Sequence, residues 1–458
     1  MLISQSTRFS ELQSRLHGQV LTDTDEAWDS ARQTFNVLVD QRPAAVVRVA
    51  NADDVAETIR YASQRGLRVA PQGTGHNAGP MDGLEDALLL RTDALQGVKV
   101  DAVARRARVG AGVRWGAVAD AAGEANLVAL HGSSRTVGVA GYSLGGGIGW
   151  LARKHGLQSN ALTAIEIVTA DGELRRIDHD NDTDLFWAVR GGGGNYGVVT
   201  ALEFDLFTAP EIYAGALFFP FERAPEVMHA WHELVSAGLP EEITTVARVY
   251  QFPPLPFLPE FIRGKSFTVV QAAYLGNESD GADLIRPLTE LGPDMNTFGM
   301  VGPDALGHLA MDPQDPIPAA SATRIVSNAT PATIDAFLDS AGPGSPSGLA
   351  SVELRSLGGA LARRPEGAGA RATLQGDYVM FAVGGVMTPE AQGEVQGQAD
   401  GVSAALAPWD AGARYANFEE RSSDARLFYD EDTFRLLRAL RTEWDPSGLF
   451  LANHEIKE

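Results

Sequence analysis

The sequence of 458 residues contains no cysteine, which excludes disulfides, thiolate nucleophiles and cysteine-ligated zinc, and we expect no metal site. Basic residues are few: 37 Lys and Arg stand against 59 Asp and Glu, and the net charge is −22. A surface this acidic repels phosphate backbones, so we expect no nucleic-acid partner. No apolar run approaches the roughly 20 residues that cross a bilayer. Because the N-terminal stretch also lacks an apolar signal core, we expect a cytoplasmic protein with no membrane partner.

The remaining composition is that of a globular protein, with 44% hydrophobic and 21% charged residues. At this length the chain is expected to fold as two domains rather than around one core. The composition shifts near residues 208–210. From there to about Pro408 the sequence mixes helical patterns, alternating strands and proline-rich loops, so a second domain is expected in this middle part.

Local patterns predict the elements that lead to the first glycine cluster. Residues 44–49 read as a buried strand, and Asn51 reads as the N-cap of a helix that Gly66 ends. Residues 67–71 form the next predicted strand. A strand–helix–strand unit is therefore expected before residue 72.

Two further predictions concern the strand content. Alternation of apolar and charged residues predicts a strand over residues 198–207, and the stretch 415–418, Tyr-Ala-Asn-Phe, also looks strand-like. A last helix is expected from about Asp432 to Trp444, because Asp445-Pro446 follows as a stop signal.

The segment Gln72-Gly73-Thr74-Gly75-His76-Asn77 directly follows a predicted strand. Its two glycines allow backbone amides to turn inward, and such a nest of amides suits a pyrophosphate. A histidine that closes the nest is delivered beside whatever is bound there. The local motif leaves open the alternative of a surface turn with an incidental histidine.

Two more glycine clusters follow. Residues 132–149 hold seven glycines in 18 residues, yet no Gly-Lys-Ser/Thr follows, and the dinucleotide fingerprint is missing. Interleaved apolar residues argue against a flexible connector. Residues 184–200 place a short amphipathic helix, a glycine-rich turn and a strand in succession.

In order and spacing these segments resemble the flavoproteins of the vanillyl-alcohol oxidase superfamily, in particular the berberine-bridge-enzyme-like branch. The matching residues are the nest ending at His76, the VGxxGxxxGGGxG run from Val137 to Gly149, and LFWAVRGGGGNYGVVT from Leu185. Two C-terminal stretches, 415–418 and 445–456, match as well, whereas the middle third matches thinly.

The resemblance implies an α+β fold with two domains. One is a PCMH-type FAD-binding domain formed by residues 1–207 and 409–458, with its core at about 39–208. The other, residues 208–408, is a substrate-binding domain with a large antiparallel sheet flanked by helices.

The resemblance also implies FAD as cofactor, attached covalently through His76. A neutral imidazole can add to the electrophilic methyl position of the flavin's benzenoid ring, and attachment raises the redox potential of the flavin. The residues expected to contact FAD are His76, Gln72, Gly73, Thr74, Gly75, Asn77, Ser133, Ser134, Val137, Gly138, Gly141, Gly145, Gly146, Gly149, Val198, Val199 and Asn453.

Three positions depart from the family pattern. Ser134 stands where many relatives have a cysteine that forms a second covalent bond to the flavin, so we expect a single attachment, as in the hydroxynicotine oxidases. Gln72 replaces a frequent arginine, so pyrophosphate binding would depend on backbone amides. Phe418 replaces the tyrosine that serves sugar oxidases as general base.

The absence of that tyrosine leaves as main candidates for catalysis or substrate anchoring Tyr415, Asn417, Glu353 and Arg355, with Tyr378 and His454 as further candidates. Glu353 and Arg355 alternate along a predicted strand, so both side chains are expected on one face. A solvated or salt-bridged pair is the alternative reading of these two.

We expect an FAD-linked oxidoreductase that takes hydride from a carbon next to nitrogen or oxygen in a small, amine, alcohol or aromatic substrate. Molecular oxygen is the expected electron acceptor, with hydrogen peroxide as product. Two alternatives are a dehydrogenase that uses another acceptor and, given Phe418, a flavin- or ligand-binding protein without turnover.

Overall fold

The computed structural model describes residues 9–81, 83–209, 211–254, 256, 260 and 262–457. Up to residue 208 the helices are α1 (Ser10–Gln13), α2 (Trp28–Arg32), α3 (Ala52–Arg65), α4 (Trp115–Gly123), α5 (Val139–Leu144), α6 (Ala152–His155), α7 (Gln158–Ala161) and α8 (Thr183–Gly192). The strands of this segment are β1 (Gln19–Leu21), β2 (Ala45–Arg48), β3 (Arg68–Gln72), β4 (Ala87–Arg91), β5 (Val98–Asp101), β6 (Arg106–Gly110), β7 (Leu127–Val128), β8 (Leu162–Val168), β9 (Leu174–Asp178), β10 (Val198–Asp205) and β11 (Phe207–Thr208).

The unit β2–α3–β3 confirms the prediction for residues 44–71. The Asn51 side chain accepts a hydrogen bond from the Asp54 N–H, and Gly66 ends the helix at φ 64°. Strands β2, β4 and β3 run parallel, and β1 pairs with β2 antiparallel. Crossover helices are needed to connect parallel strands, which explains the position of α3.

A second sheet of this segment is antiparallel, in the order β5-β6-β10-β8-β9. The strand predicted over residues 198–207 ends at Asp205, and the chain then resumes as β11, which pairs with β7. Trp115 on α4 is fully buried and contacts Phe204 of β10, with ring centroids 5.6 Å apart. This contact joins the second sheet to the glycine-rich segment behind it.

The middle part of the chain forms one large antiparallel sheet with helices on one face. Its strands are β12 (Ile212–Pro220), β13 (Ile243–Gln251), β14 (Ser266–Tyr274), β15 (Met295–Asn296), β16 (Gly299–Val301), β17 (Ala319–Val326), β18 (Ser351–Ser356) and β19 (Tyr378–Gly385), in the order β15-β12-β14-β13-β18-β19-β17 with β16 beside β12. Its helices are α9 (Ala224–Ser236), α10 (Glu278–Thr289), α11 (Pro331–Ala341) and α12 (Gln392–Ala405).

Three of these helices bury side chains against the sheet: Trp231, Phe337 and Val402. The opposite face of the sheet is turned toward the first segment, and the predicted α+β class is confirmed.

The C-terminal part returns to the first segment. Helix α13 (Glu431–Trp444) is followed by a stretch in which Val69 of β3 donates to the Leu449 carbonyl at 2.8 Å and Leu451 donates to the Val69 carbonyl at 2.9 Å. The prediction of a strand at 415–418 is wrong. These residues form a turn, in which the Phe418 N–H donates to the Tyr415 carbonyl, because their side chains are fixed individually by neighbouring loops.

Within the described ranges, no helix has both the length and the apolar character that a membrane span requires. In the same ranges no group of three or more His, Asp or Glu side chains is arranged to hold a metal ion.

Candidate cofactor and substrate site

The turn after β3 presents unpaired backbone amides. Among the described residues, no acceptor is found for the N–H groups of residues 73–77. Gly75 has φ 75°, and a Cβ there would lie 2.9 Å from Cα of Thr34, so only glycine fits. Five neighbouring N–H groups without internal partners make a nest that suits an anion such as a pyrophosphate.

His76, at the edge of this nest, is held by two contacts. Its Nε2 lies 3.1 Å from Oγ1 of Thr136, and its ring stacks on Phe35 with centroids 3.7 Å apart. The Thr136 hydroxyl is in turn 2.9 Å from Oγ of Ser134. Burial lowers the pKa of His76 to about 4, so its imidazole is neutral at neutral pH, and Nδ1 has no partner among the described residues.

The glycine run beginning at Gly138 faces the nest. A Cβ on Gly138 would lie 3.5 Å from the Thr74 side chain, so the two predicted cofactor segments are in contact. Gly138 is the N-cap of α5, and no side chain caps that helix. Gly141 is exposed, and a Cβ there would find nothing within 4 Å. The start of α5 therefore lies beside the nest, and Gly141 leaves open space on the surface of this helix.

Other predicted glycines serve packing. A Cβ on Gly145 would lie 1.8 Å from Oδ1 of Asn417, and one on Gly149 would lie 1.9 Å from the His131 carbonyl oxygen. Gly146, at φ 117°, packs against Arg371 and Tyr415. Gly145 and Gly146 thus let the C-terminal turn approach the glycine run closely, whereas Gly149 allows a close approach of the backbone at His131.

The remaining predicted cofactor residues lie in several different environments. The Ser133 hydroxyl donates to Asp312 at 2.7 Å, and Val137 is half-buried beside the core. Val198 and Val199 are buried in β10. Asn453 donates from Nδ2 to the Asn77 carbonyl at 2.8 Å, and thereby supports the nest from behind.

Several contacts around the nest were not predicted from sequence. Asn77 donates to the Ala416 carbonyl at 3.0 Å, and Asn195 accepts from the Ile456 N–H at 3.0 Å, so the C-terminus is tied to both glycine loops. Phe35 and Thr136, which hold His76, were also missed. The one feature of the sequence that could have pointed to Thr136 is its position two residues after Ser134, which was itself a predicted cofactor residue.

Buried polar atoms without partners test whether FAD fits here. Most buried polar groups in proteins are hydrogen-bonded, so a local concentration of exceptions indicates a polar ligand or water. Around the nest and the glycine run, the unpartnered atoms are Gln72 Nε2 and Oε1, Asn77 Oδ1, His131 Nε2, Ser143 Oγ, Gln158 Nε2 and Oε1, Ser159 Oγ and His454 Nδ1. Free amides, open space beside Gly141 and this polar lining fit the phosphates and polar ring edge of FAD.

The C-terminal turn contributes a buried phenol. The Tyr415 hydroxyl accepts hydrogen bonds from the Ile148 N–H at 2.9 Å and from Asn417 Nδ2 at 3.1 Å. Asn417 Nδ2 also donates to the Tyr142 carbonyl at 2.9 Å. Burial raises the pKa of Tyr415 to about 12, so this phenol stays protonated at neutral pH.

Glu353 and Arg355 on β18 lie on the sheet face that looks toward the first segment. Both are buried and form an ion pair, with Nη2 of Arg355 3.0 Å from Oε1 of Glu353. Arg248 of β13, which sequence reasoning missed, is 2.7 Å from Oε2 of the same carboxylate. The Arg355 guanidinium lies near the rings of both Trp150 and Phe418, 5.6 and 5.7 Å from their centroids.

Comparison with known proteins is consistent with this site. Residues 43–178 match a family model described as an FAD binding domain. A stretch of 195 residues is 34% identical to (R)-6-hydroxynicotine oxidase of Paenarthrobacter nicotinovorans and covers 43% of this chain and 43% of that enzyme. The chain is thus aligned with less than half the length of this relative.

Solved structures extend the likeness in fold to almost the whole chain. BBE-like 1 of Physcomitrella patens superposes with a TM-score of 0.85 at 19% identity, over 99% of both chains. A glucooligosaccharide oxidase of Acremonium strictum, whose structure is described as revealing a novel flavinylation, gives 0.81 at 20% identity over 98% of both. The chain therefore shares its fold with these two proteins, and its residues 43–178 match an FAD binding domain.

Proposed function

We propose that this protein is an oxidase that binds FAD covalently through His76 and takes hydride from a carbon next to nitrogen or oxygen in a small substrate. Molecular oxygen is the proposed acceptor, giving hydrogen peroxide. The observation that carries the proposal is the neutral His76 imidazole at the edge of five unpaired amides. Bound FAD would supply two-electron acceptance in this site.

The covalent step requires a nucleophilic nitrogen with a free lone pair. The low pKa of His76 keeps the imidazole neutral, so one ring nitrogen carries a hydrogen and the other a lone pair. We assign the hydrogen to Nε2, which then donates to Oγ1 of Thr136, so Nδ1 is the nitrogen with the free lone pair. Stacking on Phe35 fixes the plane of the ring. Among the relatives, the glucooligosaccharide oxidase described as flavinylated has the same fold.

Ser134 cannot supply a second attachment. Its hydroxyl is buried and bonded to Thr136, and an unactivated serine is a weak nucleophile. We therefore propose one covalent bond, at His76.

The residues near Phe418 favour a substrate that loses its proton easily. Tyr415 has a raised pKa and already accepts two hydrogen bonds, and Glu353 is held by two guanidinium groups. An amine that reacts as the free base needs no strong proton acceptor, so hydride removal from a C–N carbon suits this site better than oxidation of an unactivated alcohol.

The test is anaerobic mixing of the purified holoenzyme with separate aromatic amines, secondary alcohols and sugars, while flavin absorbance is followed. We expect bleaching by members of the amine set, then rapid recovery and stoichiometric peroxide when oxygen is admitted. Recovery only with an artificial dye would make the protein a dehydrogenase. Absence of bleaching by every class would support a binding role without turnover.

A further inference from the structure

On the sheet face over the candidate site, two buried arginines share one buried carboxylate. Arg248, Glu353 and Arg355 are 3, 5 and 4% exposed, and the one carboxylate contacts both guanidinium groups. The two arginines hold the pKa of Glu353 below its usual value despite burial, so the carboxylate is ionised. The three groups therefore carry one net positive charge in a place shielded from water.

Arg355 is the less completely paired of the two guanidinium groups, because its one ionic partner among the described residues is the carboxylate that it shares with Arg248. On the Arg248 side, Asp312 acts on the guanidinium electrostatically and Tyr250 accepts a hydrogen bond from its Nη1 at 2.8 Å. Arg355 uses Nε and Nη2 on Glu353, and its Nη1 has no acceptor among the described residues. The nearby phenols of Tyr142 and Tyr415 have pKa values above their usual range and do not neutralise it.

Arg355 also has the surroundings of a recognition site. Its guanidinium lies near the rings of both Trp150 and Phe418, and Phe418 belongs to the turn 415–418 that packs on the glycine run. Beside it, the buried atoms Trp150 Nε1, Arg248 Nε and Gln271 Oε1 lack partners in the described part of the chain. A buried charge without a full counter-charge is costly unless a ligand completes it.

We propose that Arg355 binds a carboxylate of the substrate, so that the enzyme acts on a small acid whose oxidised carbon lies nearer the flavin. The inference rests on the proposed function, because it names the substrate class of that same site. Arginine presents paired donors that match a carboxylate, and the flanking rings of Trp150 and Phe418 suit an apolar or aromatic body.

The experiment titrates the holoenzyme with benzoate and, separately, with benzamide, which has the same shape without the charge. Binding is read from the shift of flavin absorbance. We expect benzoate to bind at least about 10-fold more tightly than benzamide, as the energy of a hydrogen bond to a charged group implies. Equal affinities, or no binding of benzoate, would overturn the proposal.

Variants of Arg355 test whether this residue causes the preference for benzoate over benzamide. Arg355→Gln should weaken benzoate about 10- to 100-fold and leave benzamide unchanged, whereas Arg355→Lys should keep part of the preference. Arg421→Gln, which removes an exposed arginine paired with Asp400, is the matched control. Undiminished benzoate affinity in Arg355→Gln would contradict the assignment, and if that variant fails to fold, the wild-type comparison and Arg355→Lys still decide. A protein without flavin absorbance would instead refute the proposed function.

Discussion

The Tyr415 hydroxyl accepts the Ile148 N–H at 2.9 Å, which joins the C-terminal turn to the glycine run 267 residues earlier in the chain. Asn417 Nδ2 donates to the same oxygen, and Tyr415 is fully buried. This phenol is therefore a positioning group for the turn, and its ring also contacts Phe418, with centroids 5.1 Å apart.

Replacing Tyr415 by Phe should destabilise the protein and loosen this turn. The change leaves the buried Ile148 N–H without an acceptor, which costs about 1–3 kcal/mol. The midpoint of urea unfolding measures the loss. Tyr429→Phe, which removes a hydroxyl that donates to the Gly191 carbonyl at 2.8 Å, is the control, and we expect a smaller shift because a carbonyl tolerates losing one donor better. Equal midpoints for Tyr415→Phe and wild type would contradict the positioning role.

Gly141→Ala tests where the cofactor lies. A Cβ at Gly141 meets no atom of the described residues within 4 Å, so alanine should fold normally and even stabilise α5 by about 0.5–1 kcal/mol. If the flavin occupies the space beside α5, however, the methyl group will weaken FAD binding. Reconstitution in a His76→Ala background, where binding is reversible, gives the affinity.

The control for that change is Gly401→Ala in α12, where a Cβ also meets nothing within 4 Å. It should leave FAD affinity unchanged. Unaltered affinity in Gly141→Ala would place the cofactor elsewhere.

Thr136→Val should slow covalent incorporation. The substitution keeps the branched shape and removes the hydroxyl 3.1 Å from Nε2 of His76, so the ring loses the contact that selects its free nitrogen. Fluorescence of the denatured protein in a gel reports the covalently bound fraction. Thr136→Ser should restore it, and incorporation in Thr136→Val at the wild-type rate would show that the hydroxyl has no such role.

Because the carboxyl of Glu420 has a raised pKa, we expect the stability of the folded protein to depend on pH. Burial raises the pKa of this carboxyl to about 7, although Ser321 donates to Oε2 at 2.6 Å. The folded state therefore holds this proton more tightly than the unfolded chain, and stability falls as pH rises from 4.5, the usual pKa of this carboxyl, through about 7. Glu420→Gln should raise Tm relative to wild type above the raised pKa and have little effect below 4.5. The side chain is partly exposed, so the gain is limited.

The exposed Glu390 supplies the control for this experiment, since Glu390→Gln should shift Tm equally little at both pH values. If the difference in Tm between Glu420→Gln and wild type is the same at acidic and alkaline pH, the pH dependence of stability does not arise from Glu420.

Sequence patterns correctly predicted the elements whose ends are determined by residues within or next to the element. Asn51 and Gly66 set the ends of α3 through their own side chain and backbone freedom, and both were predicted. The stretch 415–418 looked strand-like but forms a turn, because Tyr415 and Asn417 bond to the segment 142–148 rather than lining a sheet face. The contacts of Phe35 and Thr136 with His76, and of Arg248 with Glu353, depend on loop packing and on the β13–β18 register, which no single stretch of sequence encodes.

Covalent attachment at His76 is tested most directly by mass spectrometry of the purified protein, intact and after proteolysis, together with the His76→Ala variant. We expect one peptide, containing His76, to be heavier by one FAD, the Ser134 peptide to be unmodified, and the flavin of the variant to be extractable. An unmodified His76 peptide in flavin-loaded protein, or covalent flavin that persists in His76→Ala, would contradict covalent attachment at this residue.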